Sequence, residues 1–133
     1  MVKSFVVFCS AALLSVAADS DQVERGKYLV EEVAKCQECH TPRTESGELD
    51  KSKLLKGATL DVQPLHEVKG WHKTSPDLTP SGRLFARWGE PGLVKFLETG
   101  LGPSGHGADP PMPAYKLKPD DAEAIVAYLK SLK

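Results

Sequence analysis

The sequence predicts an all-α fold in which three or more short helices are separated by loops. Helical patterns cover residues 21–36, 90–100 and 118–133. No stretch alternates apolar and polar residues in the way that a half-buried strand requires. Most of the 11 glycines and 10 prolines lie between the helical segments, where these residues favour irregular backbone.

The first predicted helix covers residues 21–36 and contains a glycine. Asp21 is followed three residues later by Glu24, a pair typical of a capping box at a helix start. Apolar residues form one face of this helix: Val23, Leu29, Val30 and Val33. A glycine inside a helix costs about 1 kcal/mol relative to alanine. Gly26 is therefore expected where another helix crosses closely.

Proline and glycine mark the ends of the two remaining helices. In the segment 90–100, Pro91 suits an early helical position and Gly100 suits the C-terminal cap. In the segment 118–133, Pro119 opens the helix. Acidic residues in its first turn and basic residues in its last complement the helix dipole: Asp120, Asp121, Glu123, Lys130 and Lys133.

The N-terminus has the order of a secretory signal peptide. Lys3 precedes an apolar run, which is followed by small and then polar residues. An apolar run of about 14 residues is too short to span a bilayer, so a membrane anchor is the weaker interpretation. The sequence therefore predicts a signal peptide at residues 1–18 and a single domain at residues 19–133. The expected mature protein is periplasmic, has no membrane span and lacks Cys9.

Charge and composition narrow the function classes. The chain carries 17 basic and 18 acidic residues, a net charge of −1. Domains that bind nucleic acid concentrate basic residues, so no nucleic-acid partner is predicted. Aromatic residues make up only 7% of the chain, and a small chain with long irregular stretches has little apolar surface to bury. A large, flat apolar cofactor at the centre would supply the missing contacts.

Residues 36–40 read CQECH, a Cys-x-x-Cys pair followed by histidine. Redox thiols, zinc sites and covalent haem attachment all use such a cysteine pair, and only haem attachment requires the histidine. A disulfide between Cys36 and Cys39 would close a very short loop and add little stability. Structural zinc needs four ligands, and the remaining histidines have no finger-like spacing: His66, His72 and His106. Covalent haem is the favoured interpretation.

A single methionine lies in the proline-rich loop at residues 101–114. Met112 lies between Pro111 and Pro113. A proline restricts its own backbone conformation and that of the residue before it. A methionine that only fills a gap in the core does not need a restricted backbone. A thioether that must bind a metal at a fixed distance does need one. His106 shares the loop and is the strongest rival ligand among the histidines.

Together these residues predict one covalently attached haem c. Cys36 and Cys39 would form thioether bonds to it, while His40 and Met112 would bind the iron from opposite faces. A thioether ligand favours ferrous iron and raises the reduction potential. With both axial positions filled by the protein, substrate has no open coordination site. The predicted function is electron transfer, and the protein is expected not to be an enzyme.

The chain resembles the class I c-type cytochromes over nearly all of its mature length. The matching segments are RGKYLVEEVAKCQECHTPR, SPDLTPSG, FLETG and PPMPAYKLKPDDAEAIVAYLKSL. They look most like the cytochrome domains and subunits that accompany periplasmic dehydrogenases. The resemblance implies that the N- and C-terminal helices cross where Gly26 meets Tyr128. It also implies a redox protein partner, such as a dehydrogenase or a terminal oxidase.

Several residues around the predicted haem have two interpretations. Trp71 and Trp88 could simply pack in the core, or an indole N–H could bond a haem propionate, for which Trp71 is preferred. The resemblance implies that a proline carbonyl accepts a hydrogen bond from His40, a role assigned to Pro64. Such a bond fixes the imidazole ring and strengthens its donation to the metal.

Two other function classes stay open. If Met112 does not bind the iron, or binds it loosely, the protein would be a haem enzyme or a gas sensor. A thiol oxidoreductase that uses Cys36 and Cys39 is the second alternative. It lacks the strand-rich thioredoxin pattern and leaves His40 and Met112 without a role.

Overall fold

The computed structural model describes the backbone of residues 11–133 and the side chains of residues 19–133. The predicted signal peptide at residues 1–18, with Cys9, falls outside the residues whose side chains are described. Within the described part, no helix is both long and apolar enough to cross a membrane.

The described chain is predominantly helical, as the sequence predicts. Four α-helices follow one another along the chain: α1 (Ala11–Tyr28), α2 (Cys36–His40), α3 (Arg83–Thr99) and α4 (Pro119–Ser131). Two short turns are also helical, a π-helical turn at Leu29–Val33 and a 3-10 turn at Lys51–Lys53. The sequence indicated no strand, yet β1 (Ala58–Thr59) pairs antiparallel with β2 (Thr74–Ser75). Strands of two residues are too short to produce an alternating pattern.

Helices α1 and α4 cross at Gly26, as predicted. A Cβ atom at Gly26 would overlap the backbone carbonyl of Ala124 and lie 2.8 Å from the Cβ of Tyr128. The close approach explains why glycine occupies a helical position there. The main core cluster gathers around this crossing: Leu29, Val30, Leu55, Ala124, Ile125, Tyr128 and Leu129.

The ends of α1 differ from the prediction. The helix reaches back to Ala11, so Asp21 lies inside it and the predicted capping box is wrong. The segment before Asp21 is rich in alanine and leucine, which are strong helix formers. At the other end, α1 stops at Tyr28 and the chain widens into the π-helical turn, whereas a continuous helix to Cys36 was expected.

Helix α3 begins at Arg83, before the predicted start at residue 90. Gly89 breaks it with non-helical angles, φ 64° and ψ 174°, and Pro91 follows early in the second segment. This second segment is the helix that the sequence predicts. It ends as expected at Gly100, which has a φ of 75° and donates its N–H to the carbonyl of Phe96 at 2.8 Å.

The polar segment 43–56 is mostly exposed but buries one residue completely. Leu55 has 0% exposure and a left-handed φ of 59°. Its N–H donates to the buried Thr41 hydroxyl at 2.9 Å, and its carbonyl accepts from the N–H of Leu78 at 2.9 Å. The loop therefore folds back onto the core just after α2.

Candidate functional site

The turn that leads into the CQECH motif is tightly specified. This attachment turn, residues 29–35, begins with the π-helical turn, whose last bond joins the N–H of Ala34 to the carbonyl of Leu29 at 2.8 Å. Lys35 then takes a left-handed conformation with φ 53°, and α2 starts at Cys36. The reversal redirects the backbone, so the cysteines belong to a separate short helix and not to the end of α1.

Three side chains bind the attachment turn, and sequence reasoning assigned none of them to the site. Gln37 is buried and donates its Nε2 to the carbonyl of Glu31 at 2.7 Å. The hydroxyl of Tyr128 on α4 donates to Glu31 Oε1 at 2.5 Å. The hydroxyl of Tyr115 donates to the carbonyl of Ala34 at 3.3 Å. The one sequence feature that could have indicated any of these three roles is the position of Gln37 between the two cysteines.

The two cysteines differ in exposure. Cys36 is half-buried, and Cys39 is exposed. The pKa of the Cys36 thiol is raised to about 11, mainly by burial; a backbone hydrogen bond opposes the shift, and the neighbouring Cys39 contributes the smallest part of it. Thiol–disulfide chemistry needs the thiolate. This environment therefore disfavours the thiol oxidoreductase alternative.

His40 lies at the end of α2 and is 5% exposed. Its Nδ1 lies 2.9 Å from the carbonyl oxygen of Pro76, so Nδ1 carries the proton that this carbonyl accepts. Burial lowers the pKa of His40, although the bond to Pro76 opposes that shift. The ring is therefore neutral at pH 7, and its Nε2 lone pair is free for a metal.

The assignment of Pro64 as the partner of His40 is wrong, because Pro76 fills that role. Pro76 belongs to the segment SPDLTPSG, which was matched to the family from the sequence but was not connected with His40. The sequence alone could not identify the partner of His40, because several prolines could supply the carbonyl. The choice depends on how the chain returns to α2 after a loop of irregular backbone.

Hydrogen bonds from the small sheet hold Pro76 beside α2. The Ser75 hydroxyl donates to the carbonyl of Cys39 at 2.6 Å and accepts from the N–H of Ala58 at 3.0 Å. The N–H of Gly57 donates to the carbonyl of His40 at 2.8 Å. These bonds satisfy the last carbonyls of α2 and bring both strands against the histidine.

The turn after Pro76 is closed by its own polar groups. Asp77 Oδ1 accepts from the N–H and the hydroxyl of Thr79, each at 2.7 Å. Thr79 is completely buried, and a Cβ at Gly82 would lie only 2.5 Å from the carbonyl oxygen of Asp77. The turn is therefore compact, which restrains the Pro76 carbonyl in front of His40.

Met112 is half-buried in the methionine loop, residues 101–117. Its N–H donates to the carbonyl of Asp109 at 3.1 Å. The carbonyl of Pro110 accepts from the N–H of His72 at 2.8 Å, and the His72 ring lies 3.3 Å from Asp109 Oδ2. The loop is thus attached to the segment that carries Trp71.

The rival histidines lie on the surface. His66, His72 and His106 are all exposed, whereas His40 is buried. His106 Nδ1 lies 3.2 Å from the Ser104 hydroxyl within the methionine loop. The His72 ring pairs with Asp109 across two loops. These surroundings are those of ordinary surface histidines.

The two tryptophans have different surroundings. Trp88 packs against Phe96, with ring centroids 5.2 Å apart, so it serves the packing of α3. The Nε1 atom of Trp71 is buried and finds no hydrogen-bond acceptor among the described residues. A buried indole N–H without a partner is costly. The chain therefore offers a donor that an acidic group of a bound cofactor would satisfy, which fits a haem propionate.

Comparison with known proteins supports the resemblance to the c-type cytochromes. The family model described as Cytochrome c matches residues 23–133. A dihaem cytochrome c-type protein of Cereibacter sphaeroides is 38% identical over 112 residues, which are 80% of this chain and 34% of that protein. The fructose dehydrogenase cytochrome subunit of Gluconobacter japonicus is 31% identical over 118 residues, 85% of this chain and 22% of that protein. A nicotinate dehydrogenase subunit of Pseudomonas putida is 34% identical over 120 residues, 86% of this chain and 9% of that protein.

The chain spans only about a third or less of the length of these relatives. The family match, by contrast, covers almost all of the described chain, from the middle of α1 to the last residue. The helical architecture, with α1 crossing α4, agrees with it. The chain therefore belongs to the cytochrome c family, whose members carry electrons on a covalently attached haem.

Proposed function

We propose that this chain is a periplasmic monohaem c-type cytochrome with His40 and Met112 as the axial ligands of the iron. The observation that carries the proposal is the environment of His40. The ring is buried, directly follows the cysteine pair, and keeps Nε2 free because Nδ1 is engaged by Pro76. A single CQECH motif supports one haem, although one relative is dihaem.

Each site residue has a distinct task in this proposal. Cys36 and Cys39 would attach the haem covalently, and the bound haem would supply the iron that accepts and releases one electron. The Pro76 carbonyl holds the neutral tautomer and the orientation of His40. Met112 supplies a thioether, which favours the ferrous state, and the prolines beside it restrict its approach. The indole N–H of Trp71 meets a haem propionate.

The proposed partner is a dehydrogenase that delivers electrons to this chain. Two of the relatives are, by name, components of dehydrogenases, and one of these is a cytochrome subunit. In this proposal the protein acts as a carrier or as the cytochrome subunit of such an enzyme, and a terminal oxidase is a suitable acceptor. The predicted signal peptide at residues 1–18 supports export to the periplasm.

Mass spectrometry tests the attachment. Protein produced with c-type maturation machinery should have the mass of the chain without its signal peptide plus one haem, and the haem should remain after denaturation. The double variant Cys36→Ser, Cys39→Ser should retain no haem under the same conditions. A haem-free wild type with a free or disulfide-bonded cysteine pair would contradict the proposal.

Spectroscopy of Met112→Ala tests the ligand set. The ferric wild type should show the weak far-red band of sulfur-to-iron charge transfer, and the ferrous form should bind carbon monoxide poorly. Met112→Ala should lose the band, bind carbon monoxide and have a lower reduction potential. His106→Ala, in the same loop, is the matched control and should keep all three properties. A high-spin wild type that already binds carbon monoxide would instead favour a haem enzyme or gas sensor.

A further inference from the structure

We propose that Tyr115 is a positioning residue that ties the methionine loop to the attachment turn and thereby keeps Met112 at the iron. The inference rests on the proposed ligation by Met112. Tyr115 lies three residues after Met112, and its hydroxyl donates to the backbone carbonyl of Ala34 at 3.3 Å. Ala34 lies two residues before Cys36. The bond therefore joins the loop that carries Met112 to the turn that leads into α2, the helix of His40.

The surroundings of Tyr115 agree with this position. The residue is half-buried. Burial raises its pKa. The hydroxyl is consequently protonated at neutral pH and can act as the donor to Ala34.

Two backbone hydrogen bonds hold the ends of the segment that carries Met112 and Tyr115. Upstream, the carbonyl of Pro110 is held by the N–H of His72 at 2.8 Å. Downstream, the N–H of Leu117 donates to the carbonyl of Leu97 at 3.0 Å. Both Met112 and Tyr115 lie between these two anchors.

An external ligand can replace Met112 only if this part of the loop moves away from the iron. A movement that carries Tyr115 with it breaks the bond to Ala34. The bond thus stabilises the methionine-bound state relative to the state in which an external ligand has taken its place. Its removal should make replacement easier without removing the thioether itself.

Tyr128 provides a matched control for this role. Its hydroxyl also donates to the attachment turn, to Glu31 Oε1 at 2.5 Å. It reaches that turn from α4, however, and not from the methionine loop. Tyr115→Phe and Tyr128→Phe each remove one hydroxyl and one hydrogen bond to the same turn, but only the first disconnects the loop.

The test is a titration of the ferric holoprotein with imidazole, which competes with Met112 for the iron. Loss of the far-red sulfur-to-iron band reports the replacement. Tyr115→Phe should bind imidazole about five-fold more tightly than wild type, the factor expected from the net free energy of one hydrogen bond. Tyr128→Phe should bind imidazole with the wild-type affinity.

Three results would overturn the inference. In the first, Tyr115→Phe keeps the far-red band and binds imidazole as wild type does, so the hydroxyl has no influence on the sixth ligand. In the second, both variants gain affinity equally, so the effect is a general loosening of the turn. A wild type without the far-red band would refute ligation by Met112 itself, which separates failure of the proposed function from failure of the role of Tyr115.

Discussion

The crossing of α1 and α4 and the irregular segments 41–82 and 101–117 are held together in different ways. At the crossing, Gly26 lets the backbones touch, and buried side chains of α4 pack with Leu29 and Val30, which directly follow α1. The irregular segments contribute Leu55 and a few half-buried leucines to this core. They are otherwise held by hydrogen bonds to single carbonyls, such as that of Gly57 to His40 and that of His72 to Pro110. Their apolar residues include several exposed ones: Val62 at 50%, Leu65 at 97% and Val68 at 40%.

This difference indicates which part of the fold depends on the haem. The helix crossing has its own core, so its geometry follows from the burial of apolar side chains. Leu55 is the one fully buried hydrophobic residue of the irregular segments, and Trp71 Nε1 lacks an acceptor among the described residues. We expect these segments to obtain their missing contacts from the cofactor, while the helices position the attachment turn that receives it.

Removal of the haem should have the largest effect on stability. The variant Cys36→Ser, Cys39→Ser cannot attach the cofactor, so the irregular segments should lose order and the helices most of their support. Circular dichroism should show much reduced helicity and little cooperative unfolding. Met112→Ala, which keeps the covalent attachment, should retain most of the helicity. A native-like spectrum and a sharp melt for the double variant would show that the irregular segments fold without haem.

Overpacking of the helix crossing should have the next largest effect. Gly26→Leu places side-chain atoms where the backbone of Ala124 and the Cβ of Tyr128 already lie. We expect the free energy of unfolding, measured with urea, to fall by at least the usual cost of overpacking, about 1–3 kcal/mol. Lys27→Leu is the matched control, because Lys27 is exposed on the same helix. Equal stability of the two variants would contradict the importance of the crossing.

Loss of the Tyr128 hydroxyl should have a moderate effect. Tyr128→Phe removes the hydrogen bond to Glu31 but keeps the buried ring, so we expect a loss of about 1–2 kcal/mol at pH 7. Burial and Glu31 raise the pKa of Tyr128 above its usual value of 10.0. The protonated form is therefore favoured in the folded state, and this contribution is complete below pH 10 and is lost as the pH rises above it.

The pH dependence of the difference between wild type and Tyr128→Phe checks this assignment. Because phenylalanine cannot ionise, the difference in the free energy of unfolding should be constant from about pH 7 to 9 and shrink above about pH 10. Groups common to both proteins cancel in the comparison. A difference that grows at the alkaline end would mean that ionised Tyr128 is favoured in the folded state.

The smallest effect is expected at the rim of the crossing. Arg25 Nη2 and Nε lie 2.8 and 3.1 Å from Asp121 Oδ1, but the two side chains are 55% and 26% exposed. Arg25→Gln should cost about 0.2–1 kcal/mol at low salt and less at high salt, because exposed ion pairs are weak and screened. Urea unfolding at two salt concentrations measures both values. A larger, salt-insensitive loss would indicate that Arg25 contributes packing as well as charge.

Local sequence determined the elements that depend on interactions within a few residues. The bounds of α4 follow from Pro119 and the charged residues after it, and Gly100 ends α3 in a left-handed conformation as predicted. The crossing at Gly26 was also predictable, because a glycine within a helical pattern indicates a close neighbour. The candidate site residues in CQECH were recognised from spacing and chemistry alone. Their role with Met112 as haem ligands stays a prediction.

Only the tertiary structure decided which groups meet across long stretches of irregular chain. Pro76, and not Pro64, reaches His40 because the small sheet returns the chain to the end of α2. The break at Lys35 was not predictable, since the bonds that support the attachment turn come from residues as distant as Tyr115 and Tyr128. Periodicity and capping describe interactions within a few residues, whereas these contacts depend on how the whole chain closes around the site.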